Sequence, residues 1–161
     1  MTWDRGRARI EQLLRDGELE AVTSSHVLAA RLFDDADRHL QSAGMLREID
    51  RAGAYQLAYD AARKACAALL AAQGLRSTTR GGHIAVQDAV REQFGGSGGV
   101  LAFDSLSRLR RKRAANEYPD LGTASTTTED VDDAVRTANA IVGAARQVYE
   151  TGRLDRFEMQ R

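Results

Sequence analysis

The 161-residue sequence has one proline, one cysteine, few aromatic residues and no net charge, and each scarcity removes a class of protein. With Cys66 alone, no intrachain disulfide forms and no metal site built from several thiolates is available. Its apolar surroundings, AARKACAALLAA, mark Cys66 as a small buried hydrophobe rather than a reactive thiol. With Pro119 alone, almost nothing in the chain interrupts a helix. Aromatic residues make up 6% of the sequence, too few for a β-sandwich or barrel. The 23 basic and 23 acidic residues cancel, so any attraction to nucleic acid rests on a local patch rather than a global field. No apolar run approaches the roughly eighteen residues that suggest a membrane span. The amino terminus, MTWDRGRARIEQLL, is charged and amphipathic, unlike a secretory leader. The expectation is a cytoplasmic protein that does not engage a membrane and needs no cofactor.

What is present is helical periodicity. A hydrophobic content of 43% supports one core at this length. The expected fold is all-α, an antiparallel helix bundle of about five helices preceded by a short accessory helix. The expected division is an accessory segment over residues 1–23, the bundle over 24–152 and a charged tail over 153–161. Ile10, Leu13 and Leu14 give residues 4–15 one apolar side, and Asp16-Gly17 reads as a stop. Thr23 and Ser24 are candidate caps for a second helix, with Val27, Leu28, Leu32, Ala36 and Leu40 as its core face up to Ala43-Gly44. His26 and His39 are too far apart for helical metal pairing and receive no role.

The longest helix is predicted over residues 48–73, with Tyr55, Tyr59, Ala62, Cys66, Leu69 and Leu70 facing the core and Gly74 as its stop. Gly53 marks a kink or the start itself. A second stripe of Ala54, Ala58, Ala61, Ala65, Ala68 and Ala72 admits close approach by another helix, from the same chain or from a twin subunit. A symmetric homodimer is expected on that account. RSTTRGG after Leu75 reads as a loop, without the lysine and hydroxyl of a phosphate loop. A short helix over 83–94 carries Ile84, Ala85, Ala89 and Val90 and is followed by the link GGSGG. After a further helix starting near Val100, Thr128 is the expected cap of the closing helix. Its core face is Val131, Val135, Ala138, Ile141, Val142, Ala145, Val148 and Tyr149. Glu129, Asp130, Asp132 and Asp133 at its start are better explained by the helix dipole than by a metal.

The densest chemistry lies at residues 108–120, RLRRKRAANEYPD, where Arg108, Arg110, Arg111, Lys112 and Arg113 point all round a helix. Ala102, Leu106 and Leu109 set an apolar stripe that continues onto Arg113 and Asn116, so the inward line ends in polar groups. Pro119 biases Tyr118 away from helical geometry, so the helix should end near Glu117 and leave Tyr118 beside Arg113 and Asn116. Taken by itself, the run also reads as a solvated basic face with an ordinary Arg113–Glu117 ion pair one turn apart.

This stretch resembles the signature of the HEPN family (higher eukaryotes and prokaryotes nucleotide-binding domains), in which a helix carries an arginine, usually followed by asparagine, with a histidine about one turn further on. Arg113 takes the arginine position, while Ala114 replaces the asparagine and Tyr118 the histidine. A second register, Arg111 with Asn116 and Tyr118, also fits. The order of a long alanine-rich helix with tyrosines, a GGH turn, a short helix, the arginine helix and a closing helix extends the resemblance over most of residues 24–150.

The resemblance implies an RNA- or nucleotide-binding protein of a toxin–antitoxin or phage-defence type system, related to metal-independent endoribonucleases acting as dimers. Arg113 would hold phosphate oxygens, Tyr118 or Glu117 would stand in for the missing base, and Arg110, Arg111 and Asn116 would assist binding. A phenol, with an ordinary pKa of about 10, is a poor base near neutrality, so weak or absent ribonuclease activity is expected. The alternative is a non-catalytic helical adaptor partnering a nucleotidyltransferase or other defence protein, with Tyr118 as the nucleotide acceptor in the nucleotidyltransferase case.

Overall fold

The computed structural model describes residues 5–96, 100–152 and 154–159. In chain order these form α1 (Arg7–Arg15), β1 (Leu19–Ala21), α2 (His26–Leu46), α3 (Arg51–Gln73), β2 (Leu75–Ser77), α4 (Gly82–Phe94), a 3-10 turn (Leu101–Ser105), α5 (Leu106–Glu117) and α6 (Thr128–Glu150). The fold is helical, with one two-stranded sheet among the described residues.

The chain packs around α3. Its start is set by Asp50, whose carboxylate accepts the Gly53 N–H at 2.9 Å, so the helix begins at Arg51 rather than at 48. Its end is set by Gly74 in the left-handed region, φ 76°, from which the backbone N–H returns to Ala71 and Leu70 carbonyls. Tyr55, Tyr59, Ala62, Cys66, Leu69 and Leu70 are all buried, and so is every member of the alanine stripe. With α2 and α6 packed extensively on α3, that stripe is covered within one chain and presents no surface to a second subunit.

Burial also decides the state of Cys66. Loss of solvation pushes its thiol up to about 12, because a thiolate there would be a charge in an apolar interior. A thiol reagent such as iodoacetamide should leave the native protein unmodified and alkylate it once guanidinium has unfolded the chain. Rapid alkylation of the folded protein would refute this account.

The carboxylates at the head of α6 have specific partners. Thr127, one residue before the expected cap, accepts the Asp130 N–H, and Asp130 reciprocates to the Thr127 N–H in a capping box. Asp132 accepts from Arg47 Nη2 at 2.6 Å and Asp133 from Arg108 Nη1 at 2.6 Å, tying α2 and α5 to this end of α6. Among the described residues, no acidic or histidine cluster has the makings of a metal site.

Several local expectations are corrected. Ser25 caps α2 through its hydroxyl, whereas Ser24 Oγ donates to the Ala72 carbonyl. The helix continues past Ala43-Gly44 to Leu46, and its buried face is Ala29, Phe33, Ala36 and Ala43. Val27 and Leu28 are exposed and Leu32 and Leu40 only half-buried, because Phe33 turns the helix to place its ring beside Tyr149 with Arg146 over it. Residues 75–77, expected in a loop, form β2, where Leu75, Arg76 and Ser77 pair antiparallel with Ala21, Glu20 and Leu19.

Helix α4 starts at Gly82, and Ile84 faces solvent while Val86 joins Ala85, Ala89 and Val90 inside. Of the GGSGG link, residues 97–99 lie outside the described residues. The helix expected from Val100 begins instead as the 3-10 turn, which buries Phe103 against Phe94 in place of Ala102; regular α-helix starts at Leu106.

Described residues of the accessory segment and of the tail enter the same core. Ile10, Leu13 and Leu19 from residues 1–23 and Phe157 from the tail join one apolar cluster, and the Phe157 N–H donates to the Gln73 carbonyl at 2.8 Å. No helix among the described residues is long and apolar enough to cross a membrane.

Candidate functional site

Leu106 and Leu109 anchor α5 in the core, and the same stripe then brings Arg113 and Asn116 inward. The helix stops at Glu117, and Tyr118, at φ −123° and ψ 64°, leaves helical geometry just before Pro119. The Arg113 side chain is 19% exposed. Its Nε donates to Gln56 Oε1 at 2.7 Å, Nη1 lies 2.6 Å from Glu117 Oε2, and the guanidinium carbon sits 5.9 Å from the Tyr59 ring centre. The Arg113–Glu117 ion pair is therefore real, but Gln56 and Tyr59 turn that guanidinium into the crevice between α3 and α5.

The other candidates separate. Arg110 is half-buried and its Nε donates to Gln87 Oε1 at 3.3 Å, so it faces α4. Arg111 is exposed, which makes Arg113 the inward arginine. Arg108 and Lys112 belong to the α6 side, paired with Asp133 and Asp130. Asn116 is half-buried beside two clefts, one of about 310 Å³ near Pro119 and Thr123 and one of about 370 Å³ near Gly53 and Gln56; its Nδ2 is buried without a hydrogen-bond partner among the described residues. Tyr118 does not share that volume: it is 77% exposed and lines neither cleft.

A group that the local spacing did not reveal completes the site. His83, in the first turn of α4, places Nδ1 3.0 Å from the Tyr59 hydroxyl. Burial lowers its pKa, and the positive charges of Arg63, Arg113 and Arg110 lower it further against the opposing effect of Asp60. Tyr59 is pushed up to about 12, chiefly by burial, and stays a neutral phenol. Arg63, whose Nε donates to Asp60 Oδ1 at 2.9 Å, brings a third guanidinium to the same face of α3.

Arg63, Arg110 and Arg113 thus all act electrostatically on an imidazole whose charged form is disfavoured, with Gln56 and Gln87 as amide neighbours of Arg113 and Arg110. Such a group can bind an anion and exchange a proton with it. The available signal was Tyr59 itself: on a core-facing stripe, its hydroxyl needs a polar partner, and His83 opens the next helix. No family model matches the chain, and no curated protein or solved structure matches it significantly.

Proposed function

We propose that this chain binds the phosphate groups of RNA or of a nucleotide at the crevice between α3, α4 and α5. We read it as a divergent HEPN-like helical bundle of a toxin–antitoxin or phage-defence type system, with ribonuclease activity weak or absent. The observation that carries the reading is the placement of Arg113 over the Tyr59 ring, whose hydroxyl meets His83, with Arg63 and Arg110 within electrostatic reach of that imidazole in a chain whose overall charge is zero. Their side chains come from two different helices, which favours a site over a one-sided basic stripe. The test is equilibrium binding of a short oligouridylate across a salt series. Three phosphate contacts should give an affinity that falls with a log–log slope of about 2; no saturable binding, or a slope near zero, would defeat the reading.

A proton should accompany that binding. His83 is held neutral partly by its three cationic neighbours, and an anion offsets them, raising its pKa in the complex. Proton uptake makes affinity rise as pH falls, by at most about tenfold per pH unit, in the window between the free and bound values. Oligouridylate binding at pH 5.5 should therefore be tighter than at pH 7.5, and His83→Gln should flatten the difference. An unchanged pH profile in that variant would remove His83 from the site.

The adaptor reading draws on one observation of its own. Tyr118 stands exposed at a helix end, open to a partner enzyme. Mass spectrometry after co-expression with a nucleotidyltransferase would reveal a nucleotidyl group on Tyr118 under that reading.

A further inference from the structure

Beside the cationic crevice lies a cleft of about 570 Å³ with a different character. One wall is Leu28 and Leu32 of α2; the other is Ala67 and Leu70 of α3, with Val86 of α4 beyond them. Leu28 and Leu32 have the spacing of core residues, yet they face this opening and remain partly exposed. No acidic residue lines the cleft, but two arginines, Arg63 and Arg76, do. Arg63 commits Nε and Nη2 to Asp60, and Arg76 commits Nε and Nη2 to Glu20. Each keeps Nη1 without a partner among the described residues; the Arg63–Asp60 pair is partly buried, whereas the Arg76–Glu20 pair stands in solvent.

The geometry points to a binding site for an acyl chain with a carboxylate head: the chain lies between α2 and α3, and the head takes Nη1 of Arg63 and Arg76. The cleft has the size of a small-molecule site, apolar with a few convergent polar groups. Its lining has no aromatic ring on which a nucleobase could stack, and its walls are aliphatic, which favours a hydrocarbon. The inference shares Arg63 with the proposed phosphate site but does not depend on phosphate binding at Arg113.

Titrating the full chain with octanoate, decanoate and dodecanoate below their micelle concentrations, by calorimetry and by methyl NMR, tests this. Affinity should rise about fourfold for each added methylene until the cleft is full, following the transfer free energy of a buried methylene. Shifts should concentrate on the methyls of Leu28, Leu32, Leu70 and Val86. Decanoate should bind about tenfold more tightly than decanol, with that preference lost in Arg63→Gln and Arg76→Gln. Leu32→Trp should block the cleft; if it fails to fold, the wild-type chain-length series and methyl map still decide. Absence of binding, affinity independent of chain length, or equal binding of decanol would overturn the inference. So would methyl shifts on dilution without fatty acid, which would assign the cleft to a second copy, or shifts of the Leu28 and Leu32 methyls on adding uridine monophosphate alone, which would assign it to a nucleotide.

Discussion

Replacing Arg113 with alanine should weaken oligouridylate binding about a hundredfold, while replacing Arg108 should change it less than about threefold. The contrast follows from two arginines of one helix facing different neighbours. Arg113 is oriented by Gln56 and Glu117 and lies over the Tyr59 ring, on the side where His83 and Arg110 converge. Arg108 turns the other way, with Nη1 on Asp133 and Nη2 3.1 Å from Thr137. A directed guanidinium–phosphate contact contributes about 1.5 to 3 kcal/mol, whereas an exposed and already paired cation adds only a screened field. Arg113→Lys should recover part of the affinity through charge but not the planar contact. Since Arg113 also holds Glu117, thermal unfolding of each variant must show a folded protein at the binding temperature. Equal losses at positions 108 and 113 would mean diffuse electrostatics and no site.

The inward turn of Arg113 was legible because it depends on a local period: Leu106, Leu109, Arg113 and Asn116 occupy one stripe, and Pro119 stops the helix where its geometry requires. The Tyr59–His83 contact was not, since it joins residues from separate helices and depends on how α4 docks, which no window of sequence contains. The same limit explains β2. Three residues after the Gly74 stop carry no period of their own, and their pairing with residues 19–21 is a long-range contact.

On α2 the difficulty is different. Two apolar stripes compete, and local spacing selected Val27, Leu28, Leu32, Ala36 and Leu40, of which Ala36 is buried, whereas Ala29, Phe33 and Ala43 complete the buried face. The expected meeting of Tyr118 with Arg113 fails for a simple reason: leaving the helix at Tyr118 sends the side chain to solvent. Substituting histidine at 118 would therefore place an imidazole away from the guanidinium cluster, and His83 is the better candidate for proton exchange.

Gly81→Ala should cost about 3 kcal/mol of stability, against about 1 kcal/mol for Gly82→Ala next to it. The backbone at Gly81, φ −75° and ψ −37°, is open to any residue. Space is what alanine lacks: an added Cβ would lie 2.0 Å from the Glu18 carbonyl oxygen and 2.7 Å from Ala85 Cβ. That carbonyl already accepts the Thr78 N–H at 3.1 Å, while Thr78 Oγ1 donates to the Gly17 carbonyl at 2.6 Å and accepts the Gly81 N–H at 3.2 Å. Moving Glu18 aside would loosen the whole joint between the end of α1 and the start of α4. Gly82 has the opposite problem: nothing stands within 4 Å of its added Cβ, but its φ of 51° lies in the left-handed region, so only the backbone preference is lost. For a chain of this size the first change should lower the melting temperature by roughly 8 °C and the second by about 3 °C. Because Gly81 sets the first turn of α4, a folded Gly81→Ala protein should also shift the His83 imidazole resonances in NMR, and Gly82→Ala should shift them less. Equal melting temperatures for the two variants would show that the approach of Glu18 to Gly81 does not constrain the turn.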